Sequence, residues 1–250
     1  MWRSLVARSV RVGEVPSSNL GTPIVPLRAV LFDVDFTLAR PGPELGPEGY
    51  VRAGARHGMT LDSSRYDEAR EAARSALMHH PELEHDDGIW FDFAERIVLA
   101  MGGAKPSSYD CAVEITRGWE LHDNFELYED VQPALAELRA ARLKIGLVSN
   151  SARDVHAFAR HHALDIDAGI SSFHHGKTKP HASIFRAVLD LLEVAPDEAV
   201  MVGDTIADDV EGARAVGMRA ILVDRSGFHE DVPDRIGDLS SLGTALGLTL

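Results

Sequence analysis

Two aspartates one residue apart, Asp33 and Asp35, close an apolar run in Ala29-Val30-Leu31-Phe32-Asp33-Val34-Asp35-Phe36-Thr37-Leu38. Carboxylates are expensive to bury and are seldom set at the end of an inner strand without partners. A divalent cation is one such partner, and an aspartate held beside it can attack an electrophile. A polar turn would account for the pair equally well if it stood alone, since Asp is common in turns. It does not stand alone. A second apolar run ends in Ser149-Asn150 and a third in Gly203-Asp204, with Asp208 and Asp209 following, while Lys179 precedes Pro180.

These residue types suit phosphate ester hydrolysis through a covalent intermediate. That reaction needs an in-line nucleophile, a general acid for the leaving oxygen, and neutralisation of phosphoryl charge. Side chains at Asp33 and Asp35 leave an extended chain on opposite sides, so one can face a metal and the other a leaving group. Magnesium requires hard oxygen ligands, and Asp204 is placed to be one. Asp208 or Asp209, one helical turn on, could hold a metal-bound water. Ser149 offers a hydroxyl, the helix start after it offers free N–H groups for an anion, and Lys179 offers a cation. A lone loop lysine or strand-end serine is usually just solvated; the joint arrival of these residues at successive strand ends calls for another explanation.

The elements that must position them alternate. Strands are expected over residues 29–34, 143–148, 168–172, 199–202 and 219–223. Helices are expected over 131–141, 152–162, 181–192 and 206–216, the last closed by Gly217. Such alternation predicts an α/β fold, a parallel sheet with helices on both faces and right-handed crossovers, with functional groups at the carboxyl ends of strands. Between the first and second of these strands the pattern is helical, in pieces near 47–57, 63–80, 88–101 and 107–122, with no strand signal. The chain therefore divides into a core of residues 27–42 and 124–250 and an inserted all-helical unit of residues 43–123. Residues 1–26 begin with a basic, acid-free stretch and continue as loop; they read as a leader, disordered or added by an upstream start, that contributes nothing to the fold.

Composition narrows the function classes. Apolar residues make up 45% and charged residues 26% of the 250, which is ordinary for a globular protein. The formal charge of −14, from 39 acidic against 25 basic residues, disfavours nucleic acid and anionic membrane as partners. No apolar run approaches the roughly eighteen residues of a membrane span. The single cysteine, Cys111, permits no internal disulfide and fits a cytoplasmic protein. The twelve histidines show neither HxH nor HExxH spacing and are expected at the surface.

With these motifs in order, the chain resembles the haloacid dehalogenase-like hydrolase superfamily. Asp33-Val34-Asp35-Phe36-Thr37 matches its first motif, Ser149 after Leu147-Val148 its second, Lys179-Pro180 its third, and Gly203-Asp204 with Asp208-Asp209 its fourth. The resemblance implies a Rossmann-like core and a C1-type helical cap. It implies Asp33 as the phosphorylated nucleophile and Asp35 as acid/base, with Thr37, Ser149, Asn150 and Lys179 at the phosphate. Mg²⁺ would sit on Asp33, Asp204 and the Asp35 main-chain carbonyl, with Asp209 preferred over Asp208 as outer support because it precedes Val210-Glu211-Gly212-Ala213.

The expected activity is Mg²⁺-dependent hydrolysis of a small phosphorylated metabolite by a monomer or homodimer. Haloacid dehalogenation and phosphoryl transfer by a mutase use the same nucleophile and stay as alternatives, with a non-catalytic binding protein behind them. A halide leaves without a proton, so Asp35 argues for phosphate. One departure stands out: Phe36 replaces the glycine usual after the second aspartate, which bears on pocket size. Trp90, Phe91, Arg96, Arg117 and Trp119 are the candidates for substrate contact in the helical insert, although helical periodicity assigns the aromatics mostly to its interior.

Overall fold

The computed structural model describes residues 25–248. The leader expected over residues 1–26 therefore lies outside the described residues except for Val25 and Pro26.

β1 (Ala29–Phe32) is fully buried, and its alternating side chains feed two cores. Val30 and Phe32 join one apolar cluster, and Ala29 and Leu31 join the other. The strand is shorter than expected, but Asp33 N–H still donates to Val202 O at 2.9 Å, which fixes the first aspartate to the sheet. After a tight loop the chain forms β2 (Ala39–Pro41) and enters four helices. These are α1 (Pro47–Arg56), α2 (Tyr66–Ser75), α3 (Asp87–Ala100) and α4 (Ser107–Gly118). They enclose their own apolar cluster, which includes Tyr50, Ile97, Met101 and the buried Cys111. No helix among the described residues is long and apolar enough to cross a membrane.

The chain then makes β3 (Phe125–Leu127), antiparallel to β2. This ribbon, which the sequence reading did not list, lies just outside the insert expected over residues 43–123. Each strand is only three residues, one ends in Pro41, and their apolar content is too small to register as alternation.

The α/β core continues with α5 (Val131–Ala140), β4 (Lys144–Ser149), α6 (Val155–His161), β5 (Ala168–Ser171), the short α7 (Ser172–His175) and α8 (Ala182–Leu192). It closes with β6 (Ala199–Gly203), a wide π-type turn at Ile206–Glu211, α9 (Gly212–Ala215), β7 (Arg219–Val223), β8 (Arg235–Ile236) and α10 (Leu242–Leu246). The six core strands are all parallel, in the order β5-β4-β1-β6-β7-β8. Succession runs outward from β1 through β4 to β5 and then crosses back to β6. The switch point thus falls between β1 and β6, where a ligand crevice is expected at the carboxyl ends.

Four helix limits differ clearly from the sequence reading, the first being that the helix expected over 107–122 ends at Gly118. The helix expected to reach residue 80 stops at Ser75, because the following backbone finds partners in the core instead. Thr178 N–H donates to Leu83 O at 2.8 Å and His85 N–H to Gly176 O at 3.1 Å. The helix expected from residue 152 starts at Val155, where Asp154 accepts from His156 N–H and Ala157 N–H. That leaves residues 150–154 as a loop. The helix expected over 206–216 is split into the π-type turn and α9, a widening often found at functional sites.

Candidate active site

The switch point brings the motif residues together. Asp33 leaves β1, Asp204 follows β6, and Asp209 comes back from the π-type turn. One carboxylate oxygen from each lies within 4.8 Å of the others. Gly203 makes room for this approach, since a Cβ there would stand 2.3 Å from Asp209 Cγ. Asp209 is completely committed: Oδ1 accepts from Lys179 Nζ at 2.6 Å and Oδ2 from Thr205 N–H at 3.0 Å. Asp208 points elsewhere, toward Asn150 Nδ2 at 3.3 Å and His79 Nε2 at 3.1 Å.

Lys179 Nζ also donates to Asp33 Oδ1 at 2.6 Å, so one buried ammonium bridges two buried carboxylates. Burial alone would push that ammonium down, but Asp209 and Asp33 together hold it above the ordinary lysine range. Burial pushes the Asp33 carboxyl well above its ordinary range; Lys179 opposes the shift, and Asp209, Asp204 and Asp35 add to it. The Asp204 carboxyl is pushed up to about 7, by burial first and by Asp209 next, against Lys179 and Arg74. Three carboxylates thus face one lysine, and Asp33 Oδ2 is buried without a partner. An all-oxygen donor set with surplus negative charge fits a hard divalent cation.

Asp35 faces away from this cluster. Both of its oxygens are held by the Arg153 guanidinium, which is buried, lies 3.9 Å over the Phe125 ring and reaches 5.3 Å from Phe158. Nothing in the sequence reading singled out Arg153. Its position in the 150–154 loop, hidden by the expectation of a helix there, was the missed signal.

The remaining expected residues divide. Asn150 is tied to Lys179, accepting from its N–H at 2.7 Å and donating to its carbonyl at 3.1 Å. Ser149 is covered and donates to Ser151 Oγ at 2.8 Å, while Ser151 lines the cavity. Thr37 is fully buried with its hydroxyl unpartnered, and its carbonyl accepts from Arg225 at 2.8 Å. Arg225 in turn pairs with Asp130 at 2.9 Å and stacks 3.7 Å from the Tyr128 ring. This chain of contacts braces the loop after β1 from behind.

Phe36 has φ 65°, the left-handed region that glycine occupies without cost. Its amide donates to Ala39 O at 2.6 Å and closes the tight loop between β1 and β2. The ring packs 6.3 Å from Trp119 and lies beneath Arg70 at 5.2 Å. It forms part of the wall of a cavity of about 380 Å³ that also includes Asp33, Asp35, Lys179 and Asp204. Of the candidates in the helical insert, Trp90, Phe91 and Trp119 line this cavity. Arg96 and Arg117 are exposed and do not; the insert's cavity arginines are Arg70 and Arg74, both on α2. The histidines are likewise not all at the surface, since the His85 side chain is 8% exposed between Ser172 and Asp87.

Residues 27–217 match the family of haloacid dehalogenase-like hydrolases. Among curated relatives, a phosphatase of Mycobacterium tuberculosis is 44% identical over 124 residues, which span 48% of this chain and 55% of that protein. A phosphoserine phosphatase of Thermus thermophilus is 30% identical over 89% of this chain and 100% of its own length. The solved structure of a phosphatase of the same superfamily from Thermococcus onnurineus superposes with a TM-score of 0.60 at 28% identity, covering 88% of this chain and 98% of that one. The fold, the motif geometry and these matches agree: the chain belongs to the haloacid dehalogenase-like hydrolases.

Proposed function

We propose that this hydrolase is a Mg²⁺-dependent phosphatase that cleaves a small phosphomonoester through a phosphoryl-enzyme on Asp33. The observation that carries the reading is that two carboxylates of different setting, Asp33 and Asp35, line one cavity with the Lys179 ammonium between Asp33 and Asp209. Asp33 attacks phosphorus as the bond to the leaving oxygen breaks, and Asp35 delivers a proton to that oxygen. Water then attacks the acyl phosphate while Asp35 takes its proton, releasing inorganic phosphate, freeing the Asp33 carboxylate and returning Asp35 to its protonated form.

The cation would be held by Asp33, Asp204 and the Asp35 main-chain carbonyl, supported by Asp209, and when bound it supplies positive charge against the phosphoryl oxygens. Lys179 screens Asp33 from the anionic phosphoryl group. Asn150 holds Lys179 in place, Ser149 acts through its link to Ser151, and Thr37 anchors the loop through Arg225. Dehalogenation is the weaker reading, because a departing halide has no use for the proton donor that Arg153 holds in the site. The single, buried Cys111 supports a reducing, cytoplasmic setting.

Assay with a generic aryl phosphate, with and without Mg²⁺, tests the proposal. Metal-dependent phosphate release that disappears in Asp33→Asn supports it. Absence of metal-dependent turnover across a broad panel of phosphomonoesters overturns it.

A further inference from the structure

Charged groups around the cavity are nearly all committed. Arg153 pairs with Asp35, Lys179 with Asp33 and Asp209, and His79 with Asp208. Asp87 pairs with His85, and Asp86 accepts from Gly88 N–H to cap α3. Two cations are exceptions: Arg70 and Arg74 line the cavity, and among the described residues neither side chain makes a hydrogen bond or ion pair. The other wall charges without an ion pair among the described residues are Asp204, which accepts from Thr205 Oγ1 at 3.3 Å, and Glu120, exposed just beyond α4.

The two arginines stand four apart on α2, on one helical face and about 6 Å apart along the axis. Like charges at that spacing weaken a helix by a few tenths of a kcal/mol. Their placement is therefore not explained by the stability of α2. The Arg70 guanidinium lies over the Phe36 ring, which occupies its face and leaves its N–H edge free. Arg74 lines the same cavity as Asp204 and Lys179, so it stands on the cavity side of the helix. Between the arginines and the carboxylates, Trp90, Trp119 and Phe36 supply flat apolar walls. A volume of about 380 Å³ has room for roughly a dozen waters, far more than a bare phosphate fills.

We propose that the substrate's leaving group carries a second anionic group, a carboxylate or phosphate, gripped by Arg70 and Arg74, on a flat apolar body lying against Trp90 and Trp119. A guanidinium edge recognises either anion through paired N–H donors. This inference rests on the phosphomonoester reading for the other end of the substrate.

Three aryl probes test it: phenyl phosphate, 4-carboxyphenyl phosphate and hydroquinone bisphosphate. The wild-type enzyme with Mg²⁺ gives kcat/KM from phosphate release, and calorimetry on Asp33→Asn gives affinity without turnover. A second anion should raise kcat/KM and tighten binding by about tenfold or more, and the larger gain of the two identifies the anion. The preference should collapse toward unity in Arg70→Met/Arg74→Met and survive in part in the double lysine variant. Equal binding of all three probes overturns the inference, as does a preference that persists in the double methionine variant. A binding preference without wild-type turnover of any probe would sustain this inference and sink the phosphatase reading instead.

Discussion

Arg153 holds both carboxylate oxygens of Asp35 while the face of its guanidinium rests on Phe125. The proposed acid/base is thus aimed by a buried cation from a different loop, the one that leaves β4 after Ser149 and begins at Asn150. An acid displaced by about 1 Å can cost a hundredfold in rate. Arg153→Lys keeps the charge but loses the planar fork. Its kcat should fall about tenfold to a hundredfold, with the greater loss on phosphates of poor leaving groups, which need the proton most. A series of aryl and alkyl phosphates measures this; a uniform loss across the series would mean that Arg153 only supports the loop.

Phe36 carries a backbone cost that its ring must offset. At φ 65° a residue with a Cβ is disfavoured against glycine by about 1–2 kcal/mol. Phe36→Gly and Phe36→Ala both remove the contacts with Trp119 and Arg70, yet only glycine relieves the backbone. The glycine variant should therefore be more stable than the alanine variant by about 1 kcal/mol in urea unfolding. The reverse order would place the strain elsewhere.

Asp224 follows β7 and ties down the turn after it. Burial works against its charge, but N–H donation from His229 and Phe228 and the Arg235 guanidinium hold its carboxyl down at about 2. Because the folded value lies below the ordinary aspartate value of about 3.9, the stabilisation is complete above that value and is lost as pH falls from about 4 toward 2. Asp224→Asn should be less stable than the wild type by about 1–2 kcal/mol at pH 6, with the gap closing below about pH 4. Unfolding at several pH values checks the sign; a gap that widens in acid would contradict it.

How far the sequence could be read depends on what signals each residue left there. β1, β4 and β6 are continuous apolar runs ending in polar residues, so the strands and the gathering of polar groups at their carboxyl ends followed from pattern, whereas their order in the sheet came only with the structure. Asp33, Asp204 and Lys179 were legible because each stands at a strand end or before a helix-opening proline, and Asp209 was singled out through the resemblance of the run that follows it. Arg153 and Arg225 were not, since an arginine leaves no local trace of a partner 118 or 95 residues away. β2 and β3 escaped because three-residue ribbons rest on each other's hydrogen bonds. The short α2 escaped because the segment after it bonds to the loop before Lys179, a tertiary preference that overrides helical propensity. Arg70 and Arg74 were passed over for Arg96 and Arg117, as helical spacing alone does not tell which face meets the cavity.

The central claim is a covalent bond between phosphorus and Asp33. Acid quench of the enzyme during turnover of an aryl phosphate with Mg²⁺, followed by borohydride reduction and peptide mapping, measures it directly. The acyl phosphate at Asp33 should be reduced to homoserine, giving a mass change confined to the peptide that contains Asp33 and absent without substrate. A fully active enzyme with no modified peptide, or with the change on another residue, would contradict the account.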